Sequence, residues 1–159
     1  MQNGDIACLL QVVSYSANTD MSRSKRSHCP IAFALDIFGD KWSLLVLRDL
    51  LFKDKRRYGE FLAAEEGIST NILSERLARL EAEGLITKAH DEENRRQFIY
   101  APTQKGLDLL PAILEISCWS AKYDPKTAAP PSVMRRIRAD RDGFIRELTA
   151  RFTDSTSKT

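Results

Sequence analysis

A mainly α-helical fold carrying one small β-hairpin is what this chain predicts, on three observations. From Pro30 onward, apolar residues recur at three- and four-residue steps. The stretch from Gly67 to Ile86 reads as a sharply bounded helix. Two short runs with apolar alternation flank the polar stretch DEENRR. With 159 residues, 43% apolar and 29% charged, the chain can bury one ordinary core with short tails to spare. Its formal charge of +2 is too mild to imply a polyanionic partner by itself, so that argument must rest on where the charges lie.

Residues 1–20 end in SYSANTD, and Met21 begins the basic run MSRSKRSHCP. Two readings stand level there: an upstream extension ahead of a start at Met21, and an ordered helix through Ile6 to Val13. The first firm helix opens at Pro30, whose missing N–H would be unpaired in the first turn anyway, with Cys29 at its N-cap. Ile31, Ala34, Leu35 and Phe38 mark its apolar stripe, and Gly39 stops it. Asp40 is placed to cap the next helix, KWSLLVLRDLLFK, where Trp42, Leu45, Val46, Asp49 and Leu50 form a wide stripe fit for a core. The basic connector Asp54 to Arg57 leads to a short helix, YGEFLAAEE, broken at Gly67.

Ser69 suits the N-cap of the following helix, Ile72, Leu73, Leu77 and Leu80 share one face, and Gly84 closes it. LITKAH then reads as a strand, DEENRR as a turn, and QFIYAP as the returning strand with Phe98 and Tyr100 on one side. Thr103 caps TQKGLDLLPAILEISCWSAKY, which Pro111 kinks or interrupts, because proline removes a helical hydrogen bond and crowds the preceding turn. Leu107, Leu110, Ile113, Leu114, Ser117 and Cys118 lie near one another on its surface. Asp124 to Ser132 is a linker by composition, VMRRIRADRDGFIRELTARF an amphipathic basic helix, and TDSTSKT a frayed end. Met134, Ile137, Phe144, Ile145, Leu148 and Phe152 are too apolar for a free tail, so docking on the dimer ranks ahead of touching flanking DNA or merely solubilising.

Three helices, the third after a tight G-I-S turn, and then a hairpin are the order of a winged helix-turn-helix. A recognition helix needs one apolar face to hold it rigid and one small polar face to enter a major groove. With Leu73, Leu77 and Leu80 inward, Asn71, Ser74, Glu75 and Ala78 turn outward, Thr70 and Arg79 take the margins, and Arg76 lies nearer the buried stripe. Arg56 and Arg57 on one flank and Arg95 and Arg96 at the hairpin tip bracket the groove with positive charge, which positions a protein on DNA without choosing sequence. The expected DNA-binding set is Arg56, Arg57, Tyr58, Ser69, Thr70, Asn71, Ser74, Glu75, Arg79, Arg95 and Arg96. Asp91, Glu92 and Glu93 count against the wing and would confine it to a light backbone contact.

Other chemistry finds little support. Cys8, Cys29 and Cys118 are an odd number with no C-x-x-C pair and no acid or histidine at metal-ligand spacing, which argues against a disulfide scaffold and structural zinc, and for a reducing cytoplasm. The apolar run Ile6 to Val13 is far shorter than the roughly 18 to 20 residues a spanning helix needs, and it lacks the flanks of a signal peptide. A soluble cytoplasmic protein with no membrane partner is expected. No phosphate-cradling glycine loop, acid pair or metal motif appears, so no cofactor and no catalytic residue are expected. Adjacent His28 and Cys29 rarely achieve the geometry of a nucleophile and base. Two alternatives stay open: a winged helix used for protein contacts without sequence-specific DNA binding, and a cysteine-dependent enzyme.

The run CPIAFALDIFGDKWSLLVLRDLL, then RRYGEF, GISTNILSERLARLEAEGLI and YAPTQKGLDLLP, resembles the HxlR-type family of bacterial winged-helix regulators, relatives of the MarR group. The resemblance covers about Cys29 to Tyr123. It implies a homodimer on a double-stranded, pseudo-palindromic operator, a repressor ahead of an activator, with flanking dimerisation helices before and after the winged unit. The surface around Leu110, Leu114, Cys118 and Trp119, which a small monomer would struggle to cover, agrees with that. The expected division is an N-terminal extension over 1–27, the winged domain over 28–123, a linker over 124–132, and a basic helix with its tail over 133–159.

Some members of that family use a cysteine at the position of Cys29 to sense oxidants or electrophiles such as quinones and aldehydes, so a small molecule of that class is the expected inducer. Here Cys29 sits at a helix start, where unpaired N–H groups and the helix dipole favour thiolate, and Lys25, Arg26 and His28 add positive charge nearby. Cys118 reads first as core and, beyond that, as a candidate disulfide partner from a second subunit. The competing reading is that Cys29 merely fills a small half-buried site.

Overall fold

The computed structural model describes residues 28–153. The readings made for Ile6 to Val13, Met21, Cys8, Lys25 and Arg26, and for residues 154–159, lie outside the described residues. Helix α1 (Pro30–Phe38) begins where Pro30 places it, with Cys29 extended and its carbonyl accepting the first helical bond from Phe33 N–H at 3.1 Å. Its inward face differs from the expected stripe. Ile37 is buried with Ala34 and Phe38 beside it, whereas Ile31, Phe33 and Leu35 are exposed.

In front of α2 (Ser43–Lys53), the Asp40 carboxylate accepts from Trp42 N–H at 2.8 Å, Ser43 N–H at 3.0 Å and Ser43 Oγ–H at 2.5 Å. These bonds satisfy first-turn donors that would otherwise lack partners. Although burial works the other way, they hold the Asp40 carboxyl below the usual range. Val46, Leu47, Leu50 and Leu51 lie in the core. Asp49, expected on the apolar stripe, is indeed buried, and its charge is met by Arg48, by Lys55 at 2.7 Å and by Lys53 at 3.5 Å.

Helix α3 (Tyr58–Leu62) is shorter than the run YGEFLAAEE: the chain turns at Ala63, and beyond the turn Glu66 pairs with Arg48 of α2 at 2.6 Å. Helix α4 (Thr70–Ala82) has Ser69 as its N-cap, and Gly84 takes the left-handed conformation that ends it, at φ +69°. Leu85 N–H to Leu80 O and Gly84 N–H to Glu81 O, both 2.9 Å, are the paired bonds of that C-cap. Strands β1 (Ile86–His90) and β2 (Phe98–Pro102) pair antiparallel, with Ile86 opposite Pro102 and His90 opposite Phe98. The segment before α3 adds a short third edge, since Arg57 bridges Ile99 and Tyr100 N–H donates to Arg56 O at 2.8 Å.

Pro111 interrupts the next helix rather than kinking it. Helix α5 (Gln104–Leu107) is capped by Thr103 Oγ1, and Pro111 then sits in the first turn of α6 (Leu110–Tyr123). Leu110 and Leu114, expected on the exposed face, are buried inside the chain; the exposed apolar side chains of α6 are Ile116, Trp119 and Tyr123. The C-terminal segment is two helices instead of one, α7 (Pro131–Ala139) and α8 (Arg141–Thr153). Asp140 breaks it at φ −150°, and its carboxylate accepts from Gly143 N–H at 2.8 Å as a new N-cap. The extension docks on its own chain. Ile137, Leu148 and Phe152 are buried, the last two in the same core as α2 and α4.

Candidate nucleic-acid interface

The helix α4 is held as a recognition element must be. Leu73, Leu77 and Leu80 are at most 2% exposed, while Thr70, Asn71, Ser74, Glu75 and Ala78 form its solvent face. Ser69 Oγ accepts from Ile72 N–H at 3.5 Å, leaving other first-turn N–H groups directed outward with the positive end of the helix. The outward Glu75 lies 3.5 Å from Arg76, which offsets part of its charge.

Tyr58 and Ser74, both in the expected set, meet one another. Tyr58 Oη donates to Thr70 O at 2.8 Å and lies 3.1 Å from Ser74 Oγ, which ties α3 to the start of α4. Between α4 and the hairpin runs an open groove of about 650 Å³, lined by Arg57, Tyr58, Ser74, Lys88, Arg96 and Phe98 among others. Lys88 was not among the expected residues. The alternation of β1 points to it, because buried Ile86 and residue 88 share a face. Its ammonium lies 4.1 Å from the Phe98 ring, against which His90 also packs at 4.6 Å. His90 Nδ1–H donates to Arg95 O at 2.9 Å, shaping the hairpin tip.

The flanking arginines are less alike than their sequence suggests. Arg57 binds Asp91 through Nε at 2.9 Å and Nη2 at 2.8 Å, so part of its charge is committed within the protein. Asp91 is the first acid of the run that counted against the wing, but it is buried and also accepts from Glu93 N–H at 3.0 Å. The Arg57 guanidinium holds its carboxyl below the usual range, and Asp91 in turn raises Arg57. Arg56 pairs with Asp54 at 2.8 Å and lies over the Phe152 ring at 5.1 Å. Arg95 and Arg96 have exposed side chains that pair with no acid among the described residues.

Arg79, also in the expected set, is turned inward. Its guanidinium donates to the Asp36 carbonyl in the last turn of α1, and Arg76 Nε lies 3.2 Å from Asp40 just beyond. The long side chain at the margin of α4 thus reaches inward to a helix end, whose carbonyls lack intrahelical donors, rather than outward. Cys29 is exposed, Cys118 is half-buried, and neither is in a disulfide. No group of three or more metal-binding side chains occurs among the described residues, and no helix there is long and apolar enough to cross a membrane.

The HxlR-like helix-turn-helix family model matches residues 37–128 of this fold. The chain belongs to that family. It is accordingly a helix-turn-helix transcriptional regulator of the MarR-like winged type, and DNA binding follows from membership. An HTH-type transcriptional regulator of Synechocystis sp. is 38% identical over 98 residues, 62% of this chain and 72% of that one. The crystal structure of the transcription-factor candidate PA1607 superposes with a TM-score of 0.60 at 34% identity, covering 67% of this chain and 74% of that one. The redox regulator HypR in its oxidised form gives a TM-score of 0.53 at 27% identity, over 59% of this HxlR-like chain and 96% of its own.

Proposed function

We propose that this HxlR-like regulator acts in the cytoplasm as a homodimer that sets two copies of α4 into successive major grooves of a pseudo-palindromic operator and represses the adjacent promoter. The observation that carries this reading is the division of α4 into a fully buried leucine face and a short polar face, beside a groove with Lys88 and Arg96 on its far wall. Thr70, Asn71, Ser74 and Glu75 then meet base edges and adjacent phosphates, while Arg96, Arg95 and Lys88 neutralise backbone charge. Tyr58 and Ser69 hold the start of α4. The dimer is supported by six exposed apolar side chains on α1 and α6: Ile31, Phe33, Leu35, Ile116, Trp119 and Tyr123.

Cys29 is the proposed point of control by an oxidant or electrophile. It is an exposed thiol at the start of α1, and the likeness to a redox regulator supports the role. A modification there acts on the helix whose far end Arg79 grips.

Selection of duplexes from a random pool, followed by titration at several salt concentrations, tests the DNA reading. Arg96→Ala should weaken binding to all duplexes and reduce the salt slope by about 2, one phosphate contact being lost from each subunit, whereas Asn71→Ala should change the preferred bases. A change of base preference in Arg96→Ala alone would overturn this division of roles. For the thiol, peptide mass spectrometry after diamide or quinone treatment should find Cys29 modified at doses that release DNA, and Cys29→Ser should keep binding but lose the release.

A further inference from the structure

Among the described residues the arginines fall into two groups. Arg48, Arg56, Arg57, Arg76, Arg136 and Arg141 each pair with a carboxylate, and Arg79 binds a helix carbonyl. The second group has exposed side chains with no acid partner. It comprises the hairpin-tip pair Arg95 and Arg96, and Arg135, Arg138, Arg146 and Arg151 of α7 and α8. Two of the acids that might have balanced the extension are already committed, Asp140 to Gly143 N–H and Glu147 to Arg136. A net positive surface remains.

Docking fixes where that surface lies. Leu148 and Phe152 are buried in the common core, and the Phe152 ring lies under the Arg56 guanidinium. The end of α8 therefore abuts the segment that opens α3 and forms the third edge of the hairpin sheet. Arg151, next in sequence to Phe152, and Arg146 both expose their side chains to solvent on that helix. Both lie on a helix anchored by buried side chains, so their approach to a partner needs no ordering of a free tail.

We infer that α8 is a second nucleic-acid surface, on which Arg146 and Arg151 bind backbone phosphates of duplex DNA flanking the half-site read by α4. This rests on the DNA-binding reading above and extends it. Phosphate contact is the partner chemistry this surface fits, because exposed guanidinium groups that carry no internal ion pair bind phosphate without breaking one. The contact is indifferent to sequence: it lengthens the footprint and raises affinity without altering base choice.

The test uses the full chain and the site returned by selection, built into a duplex of about 20 bp and into one of about 40 bp with arbitrary flanks. The native protein should bind the longer duplex more tightly and with a steeper salt slope. Arg146→Gln/Arg151→Gln should match native on the short duplex, lose about tenfold or more on the long one, and show a slope there lower by about 4, two contacts being lost from each subunit of the dimer. An unchanged thermal midpoint checks that the exposed substitutions leave the fold intact. Equal losses on both duplexes, no loss on either, or a native protein indifferent to duplex length would each overturn the inference. Arg95→Gln/Arg96→Gln, by contrast, should weaken both duplexes. A selection that returns no site would sink the DNA-binding reading itself, a result distinct from any of these.

Discussion

Leu77 shows how much a single position of this fold states in advance. It is 2% exposed, in the core with Leu73 and Leu80, as the three- and four-residue spacing of the leucines requires. Leu77→Ala should cost about 2 to 5 kcal/mol, read from urea unfolding, with DNA affinity retained under conditions where the variant is still folded. A cost well below 1 kcal/mol would mean that this face of α4 is not packed as described. Residues whose partners lie far along the chain were not legible in the same way. Asp91 sits in an acidic run that looks solvated, but its partner is Arg57, thirty-four residues earlier. Arg79 sits on the margin of a helical wheel, where a long side chain can reach either way, and the Asp36 carbonyl that settles its direction is forty-three residues away. Local periodicity reports which face is apolar; it does not report which distant backbone group will claim a long charged side chain.

At the scale of elements, two clamps hold α4 in register with its neighbours. Arg79 fastens its last turn to the end of α1, and Arg48 fastens the loop before it to α2 through Glu66. Arg79→Ala should lower stability by about 1 to 2 kcal/mol by stripping a donor from a half-buried carbonyl. It should also weaken DNA binding without changing the salt slope. A slope reduced by about 2, one contact from each subunit, would instead place Arg79 on a phosphate, as its sequence position suggests. Glu66 supplies a pH test. Its hydrogen bond to Arg48 is the main cause that holds its carboxyl down from 4.5 to about 2. A depressed carboxylate contributes stability that is fully present above the unfolded value and is lost as pH falls from about 4.5 toward 2. Because the pair is partly solvated, its contribution is about 1 kcal/mol or less. Glu66→Gln should therefore be less stable than native near neutrality, and the gap should close by about pH 2. A gap unchanged across that window would mean that the ion pair does not form. Element boundaries set by caps, at Pro30, Ser69, Gly84 and Thr103, were readable because each cap is a local interaction. The early end of α3 and the break at Asp140 were not, since the run YGEFLAAEE has no breaker before Gly67 and the apolar spacing runs through Asp140 without interruption.

For the whole molecule, the decisive quantity is the apolar surface that the single chain leaves open. Ile31 is 69% exposed, Trp119 65% and Tyr123 61%, although the same sequence buries Leu148 and Phe152 of its own extension. A C-terminal segment apolar enough to dock could have covered the exposed face, and it packs elsewhere, with Phe152 at Arg56. What remains is the surface assigned above to the proposed dimer, and a face that pairs with its own copy closes under two-fold symmetry without leaving an open edge. Two recognition helices related by such an axis must stand about 34 to 36 Å apart to enter successive major grooves, so operator affinity depends on the contact. Trp119→Lys places a charge in that contact while leaving a side chain that is already solvent-facing in the single subunit. Sedimentation velocity should show native protein as a dimer and Trp119→Lys as a folded monomer with native helical circular dichroism. Binding to a selected pseudo-palindrome should fall by about 100-fold or more, and binding to an isolated half-site should change little. If Trp119→Lys and Leu35→Lys both remain dimeric, the association runs through another surface, and the exposed apolar side chains of α1 and α6 need a different explanation.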